Sequence, residues 1–203
     1  MDVITMVFSV IVLIISVMFH ELAHGIVADR MGDPTPSLAG RLTLNPLAHM
    51  EWVGSFLVPL LCVISGTGFI IGWAKPVPFN PRYFSHKRWG PAWVAAAGPI
   101  TNIILVIIFA AVFRSIAGNP AWAGFAQIAA LVVVINISLA VFNLMPLPPL
   151  DGHHILGAII PVYREWADRL MGTYGIMVTL LAIFLAGSII APIVSFFIRL
   201  LLQ

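Results

Sequence analysis

Residues 3 to 19 contain no ionisable side chain, and the run leads directly into His20, Glu21 and His24. Read as one helix over residues 3 to 28, the stretch is roughly 39 Å long at 1.5 Å per residue, enough to cross a bilayer. At positions i and i+4 the imidazoles of His20 and His24 lie on one helical face, one turn apart, close enough to share a metal ion. Glu21 sits one residue round from the first imidazole. Three polar side chains in an apolar helix are costly unless they act together.

The rest of the chain fits a membrane setting. Of 203 residues, 61% are hydrophobic and 9% charged, against about 25% charged in a soluble domain. This is the composition of an integral membrane protein, and the length suits a single domain over 1–203. A net charge of +2 comes from few groups and does not imply nucleic acid; it reads as loop residues facing the cytoplasm. Cys62 is the sole cysteine, which excludes an internal disulfide and a thiolate-rich metal site. The N-terminal run is not read as a cleaved signal peptide. No Lys or Arg precedes it, Asp2 is acidic, and no small-residue cleavage site comes before His20.

In chain order, Asp29 to Pro36 mark an aqueous loop. Residues 37 to 49 alternate Leu38, Leu42 and Leu44 with Arg41 and Thr43, which predicts a short extended piece at the membrane surface. Residues 52 to 73 are apolar but interrupted by Pro59, Gly66 and Gly68, and prolines at 76, 78 and 81 make the next stretch extended. Further apolar spans cover 91–113, closed by Arg114, and 121–145. A short piece at 155–162 precedes a last one at 174–202 that contains Gly187 and Pro192. The expected fold class is an all-α polytopic bundle with a re-entrant hairpin and a short extended segment at the cytoplasmic surface.

The acidic residues narrow the chemistry. Only Glu21 and Asp151 sit against apolar stretches without a charged neighbour, and a carboxylate so placed is a functional candidate by default. His20, Glu21 and His24 form the H-E-x-x-H arrangement of zinc hydrolases, whose catalytic sites take three protein ligands and keep one position for water. Asp151 is the natural third ligand. For it to meet the histidines, the chain must leave the membrane twice on the same side. Spans 91–113 and 121–145 bring it back, so 52–73 must turn back as a re-entrant hairpin. Arg30, Arg41, Lys75, Arg82, Lys87, Arg88, Arg164 and Arg169 then share one side, with Arg114 opposite and Arg199 undecided. The excess of positive charge puts the metal near the cytoplasmic surface of a multi-pass protein of the cell (inner) membrane.

HELAHG on the first helix, AAAGPITN on a later one and NLMPLPPLDG before the last segment resemble the site-2 protease family of intramembrane zinc metalloproteases. The resemblance runs from about residue 15 to residue 157 and takes in GRLTLNPLAH and GWAKPVPFNPR, as in small prokaryotic members. It implies that His20, His24 and Asp151 bind one Zn2+ ion and that Glu21 is the catalytic base. Asn143 and Pro149 match the N-x-x-P-x-x-P-x-D pattern and are implied to shape the substrate site. Many relatives carry a helix before the motif helix or an added PDZ or CBS domain; the expectation here is a small form with neither. The implied reaction is hydrolysis of peptide bonds in or near transmembrane segments of a protein substrate, with Glu21 activating a zinc-bound water. Asn143 is a candidate to help hold the oxyanion. Residues 73 to 80 are the expected edge against which an unwound substrate would lie.

Other readings compete at particular residues. Asp151 alone would pass as a turn residue ahead of Gly152. His153 and His154 read as loop histidines, either of which could orient Asp151, and His49 and His86 as interfacial. Asn102, Asn136 and Asn143 would bond between helices, and Gly98-Pro99 would mark close packing with a bend. Two other function classes also use such a site: a non-catalytic zinc-binding scaffold or regulator, and a metal transporter. Glu21 argues against the first, since a structural site has no use for a base that is not a ligand. The lack of further polar groups along the spans argues against the second.

Overall fold

In the computed structural model residues 3–58, 61 and 75–202 are described, and among them every regular element is helical. The uncharged run and the motif form one helix, α1 (Val3–Arg30), with Arg30 in its last turn, where the helix dipole favours a cation. Gly32, at φ 93°, then takes the left-handed conformation that turns the chain. Asp33 is fully buried and ties the turn down: Oδ1 accepts from the Thr35 N–H and hydroxyl, and Oδ2 accepts from the Asn80 N–H at 2.5 Å.

Residues 37 to 49 are not the extended piece that the leucine alternation predicts. They run from the end of one helical turn, α2 (Thr35–Leu38), through a turn and bends into another, α3 (Pro46–His49). The reason is local chemistry. Pro36 and Pro46 occupy first-turn positions, and the Asn45 side chain caps α3 by accepting from the Leu47 N–H. His49, expected at the interface, is instead buried, with Nε2 donating to the Thr43 carbonyl at 3.0 Å.

The Lys75 N–H donates to the His49 carbonyl at 2.9 Å, so the stretch between these residues starts and ends at one place. The turn expected at Pro59, Gly66 and Gly68 lies outside the described residues. Residues 75 to 80 have no regular secondary structure and lead through a 3-10 turn, Pro81–Tyr83, into α4 (Gly90–Ile116). A tight connection returns the chain as α5 (Ala123–Asn143), followed by α6 (Asp151–Ile159) and α7 (Pro161–Leu202), which breaks at Tyr174 (φ −129°, ψ 24°). The expected 155–162 piece is therefore mostly α6, which starts earlier, at Asp151. Among the described residues, three helices are long and apolar enough to cross a membrane: Ile4–Arg30, Gly90–Ile116 and Pro120–Asn143.

Small residues let these helices approach closely, as lipid offers no hydrophobic incentive for them to pack. Ala95, Ala97 and Gly98 of α4 are buried, as are Ala126, Ala129 and Ala140 of α5. Val106 and Ala110 meet Val133, Ile137 and Val194 of α7 in the main apolar cluster. A second cluster, Ala28, Phe84 and Val94, joins the end of α1 to the start of α4. That pairing makes α1 and α4 antiparallel and gathers the end of α1, the start of α4, the end of α5 and α6 at one end of the bundle. Arg88 caps α6 there by donating to the Ala158 and Ile159 carbonyls, and Arg114 caps α7 at the far end through Leu200 and Leu201.

Candidate metal centre

Helical spacing on α1 places both imidazoles toward α4 and α6. His20 Nε2 and His24 Nε2 are 3.0 Å apart, and Asp151 Oδ2 lies 3.2 Å from the first and 3.4 Å from the second. Asp151 reaches them from the first turn of α6. That turn presses so close to the end of α5 that a Cβ at Gly152 would collide with the backbone oxygens of Leu144 and Met145. The glycine of the LDG motif is thus what lets α6 start where it does. Gly98 plays the same part on α4. A Cβ there would stand 2.5 Å from both His20 Cε1 and His24 Nε2.

The proton inventory shows what the three atoms can hold. His24 Nδ1 is 2.7 Å from the Val94 carbonyl, which only accepts, so Nδ1 carries the hydrogen. His20 Nδ1 lies 2.6 Å from Asn102 Oδ1 and donates likewise. In the neutral rings both Nε2 atoms then present lone pairs to each other and to a carboxylate. Asp151 Oδ2 is shielded from solvent and, among the described residues, receives no hydrogen bond. Three electron-rich atoms facing one another repel unless a cation lies between them. Tetrahedral ligands about 2.0–2.1 Å from a zinc ion stand about 3.3 Å from one another, and the observed edges are 3.0, 3.2 and 3.4 Å. The residues fit a zinc ion.

Glu21 stands beside this triangle. One ligand atom from each of His20, Glu21 and His24 falls within 4.8 Å of the others, but the Glu21 carboxylate is also engaged elsewhere, with Oε2 accepting from the Val77 N–H at 2.9 Å. The sequence offers no sign of that bond, since it joins a side chain to a backbone group 56 residues on. Asn143 donates to the Leu139 carbonyl of its own helix at 2.9 Å, and Pro149 follows Pro148 through a cis peptide. No hydrogen bond joins either to the three converging residues. His153 and His154 also stay outside the triangle. His153 Nε2 lies 3.8 Å from Asp168 Oδ1, and burial, then the neighbouring His153, holds the His154 imidazole down to about 4, with Asp151 pulling the other way.

Comparison with known proteins adds a separate line. Residues 8–122 and 113–187 match the family described as Peptidase family M50. The chain is 39% identical over 160 residues to "Putative zinc metalloprotease YwhC" of Bacillus subtilis, covering 76% of this chain and 69% of that protein. It is 30% identical over 157 residues to "Putative zinc metalloprotease Rip2" of Mycolicibacterium smegmatis, covering 77% of this chain but 57% of the relative. Over 158 residues it is 30% identical to "Putative zinc metalloprotease MJ0611" of Methanocaldococcus jannaschii, covering 73% and 72%. No solved structure matches it significantly.

Proposed function

This chain belongs to peptidase family M50, the site-2 protease family, and on that footing we propose that it is an intramembrane zinc metalloprotease. Its substrates are membrane proteins cleaved in or near their transmembrane segments. The observation that carries the reading is the meeting of His20 Nε2, His24 Nε2 and Asp151 Oδ2 at 3.0 to 3.4 Å, spacings that suit three ligands of one ion.

These three residues would hold the zinc, and Glu21 does the proton work beside it. Zinc, when bound, supplies Lewis acidity, lowering the pKa of a water and polarising the scissile carbonyl. Glu21 takes the proton of the attacking water and returns it to the leaving amine. The Val77 N–H holds one carboxylate oxygen in place during this exchange. Asn143 can help the developing oxyanion only by giving up its bond to the Leu139 carbonyl.

Residues 73 and 74 of the expected substrate edge lie outside the described residues, and over 75–80 the edge keeps support in a narrower form. Lys75, Val77 and Asn80 already commit their N–H groups to His49, Glu21 and Asp33, and Pro76 and Pro78 have none. An unwound peptide laid along it would pair mainly with carbonyls. Two contacts favour a re-entrant path before it: Lys75 on His49, and Asn80 on Asp33 just past α1. Arg30, Arg41, Lys75, Arg82, Lys87, Arg88, Arg164 and Arg169 belong to segments at the metal end, with Arg114 and Arg199 at the other. That asymmetry favours a site facing the cytoplasm in a multi-pass inner-membrane protein.

Zinc analysis and cleavage of a model transmembrane peptide, by wild type and Glu21→Gln, test the reading. Zinc retained with cleavage down by about 10²–10⁴-fold is expected. Cleavage at the wild-type rate by the variant would overturn it.

A further inference from the structure

We propose that Asn102 and Asn136 are positioning residues for the metal centre: together they fix the proton of His20 on Nδ1 and so aim the lone pair of Nε2 at the ion. The inference rests on the metal-centre reading above.

The geometry is a closed circuit through three helices. His20 of α1 meets Asn102 of α4 at 2.6 Å, Asn102 Nδ2 donates to Asn136 Oδ1 of α5 at 2.8 Å, and Asn136 Nδ2 donates back to Ser16 Oγ of α1 at 2.9 Å. Both asparagines are fully buried, at 0% exposure, in otherwise apolar surroundings. Ser16 stands one helical turn before His20, so the circuit leaves α1 and rejoins it on the same face.

Its direction is dictated by one atom. Asn136 Nδ2 also donates to the Val132 carbonyl at 2.9 Å, and a carbonyl cannot donate. The amide nitrogen of Asn136 therefore faces Val132 and Ser16, and its oxygen faces Asn102. Asn102 must present its own nitrogen to that oxygen, which turns its oxygen toward His20. Only a hydrogen on Nδ1 satisfies that contact. A buried amide pair serving only to join helices needs no particular polarity; this one is polarised from a backbone carbonyl to a ring nitrogen. His24 receives the equivalent orientation directly from the Val94 carbonyl. The two ligands of α1 are thus held by different devices with one result.

The test is zinc affinity by chelator competition on the purified full chain, alongside 15N spectra of the metal-free, histidine-labelled protein. Asn102→Leu is expected to weaken zinc about 10–100-fold, the usual scale for losing a group that orients a ligand. Asn136→Leu, which does not touch His20, should weaken it in the same direction by releasing the Asn102 amide to turn over. Asn102→Asp keeps an oxygen facing His20 in either protonation state and should restore most of the affinity. Val133→Ala, a cavity in the main apolar cluster, should lower stability and leave affinity within about twofold, as its side chain makes none of the circuit's hydrogen bonds. In wild type the His20 signal should show the hydrogen on Nδ1. A hydrogen on Nε2 overturns the inference without any variant. So does wild-type affinity in a folded Asn102→Leu, or a loss in Val133→Ala as large as in Asn102→Leu. Wild-type protein that takes up no zinc overturns the metal-centre reading as well.

Discussion

Gly98→Ala adds one methyl group to α4 at the point where that helix faces the two imidazoles. The added carbon would lie 2.5 Å from His20 Cε1 and His24 Nε2 and 2.6 Å from His20 Nε2. Carbon atoms pack comfortably at about 3.5–4.0 Å, so the helix or the rings must move by about 1 Å. Relief of this kind costs about 1–3 kcal/mol in a packed interior. The backbone of α4 is held against α1 by the Val94 carbonyl and by Asn102, which bond to the same rings. The displacement therefore falls on the imidazoles, and the distances that suit one ion are lost. Converted at about 1.4 kcal/mol per tenfold, the strain corresponds to a loss of zinc affinity of roughly 5–150-fold. Chelator competition on detergent-purified protein measures it, with Gly124→Ala as reference, because nothing lies within 4 Å of that position on α5. The reference should bind zinc as wild type and be marginally more stable, alanine being the better helix former by about 1 kcal/mol. Zinc affinity in Gly98→Ala within twofold of wild type would refute the reasoning, since no empty space then needs to be conserved beside the rings.

Other perturbations separate the parts of the site. Asp151→Asn keeps the shape of the third ligand but removes its charge, and zinc retention through gel filtration should fall sharply; full retention would count against Asp151 as a ligand. Val77→Pro deletes the N–H that holds Glu21, so turnover of a model peptide should slow about tenfold or more with zinc still bound. Phe79→Pro leaves that bond intact and reports on the substrate edge alone, so equal turnover in Phe79→Pro and wild type would argue against the edge. Asp33→Ala strands the N–H groups of Thr35 and Asn80, each costing about 1–3 kcal/mol when buried and unpaired. A fall in Tm and faster proteolysis near residues 75–80 are expected, and an unchanged protease pattern would contradict the anchoring role.

How much of this was legible beforehand differs from element to element. The three membrane-capable helices among the described residues follow from apolar runs, and their ends differ from expectation by only a few residues because caps such as Asn119 and Trp89 leave weak signals. Residues 37–49 misled because three leucines alternate with polar residues while the prolines and Asn45 decide the local backbone. Leu38 and Leu44 point outward there while Leu42 turns in toward Gly25 of α1, so the alternating leucines do not share one face as they would on a strand. His49 reads like any loop histidine, and its burial depends on α3 folding back under the Thr43 carbonyl.

The sequence alone determined that this chain has membrane-length helices, which one carries the two histidines, and that Asp151 is the acid free to join them. Those conclusions depend on residue chemistry and on spacing along one helix, which are local. Tertiary structure alone decided which apolar face of α4 and α5 meets a neighbour, how near Gly98 lets α4 come to the rings, and how Asn102, Asn136 and Val77 reach the site. The physical reason is that these helices are apolar all round. No periodicity distinguishes a face turned to lipid from one turned to another helix, and only close packing settles where a buried amide finds its partner.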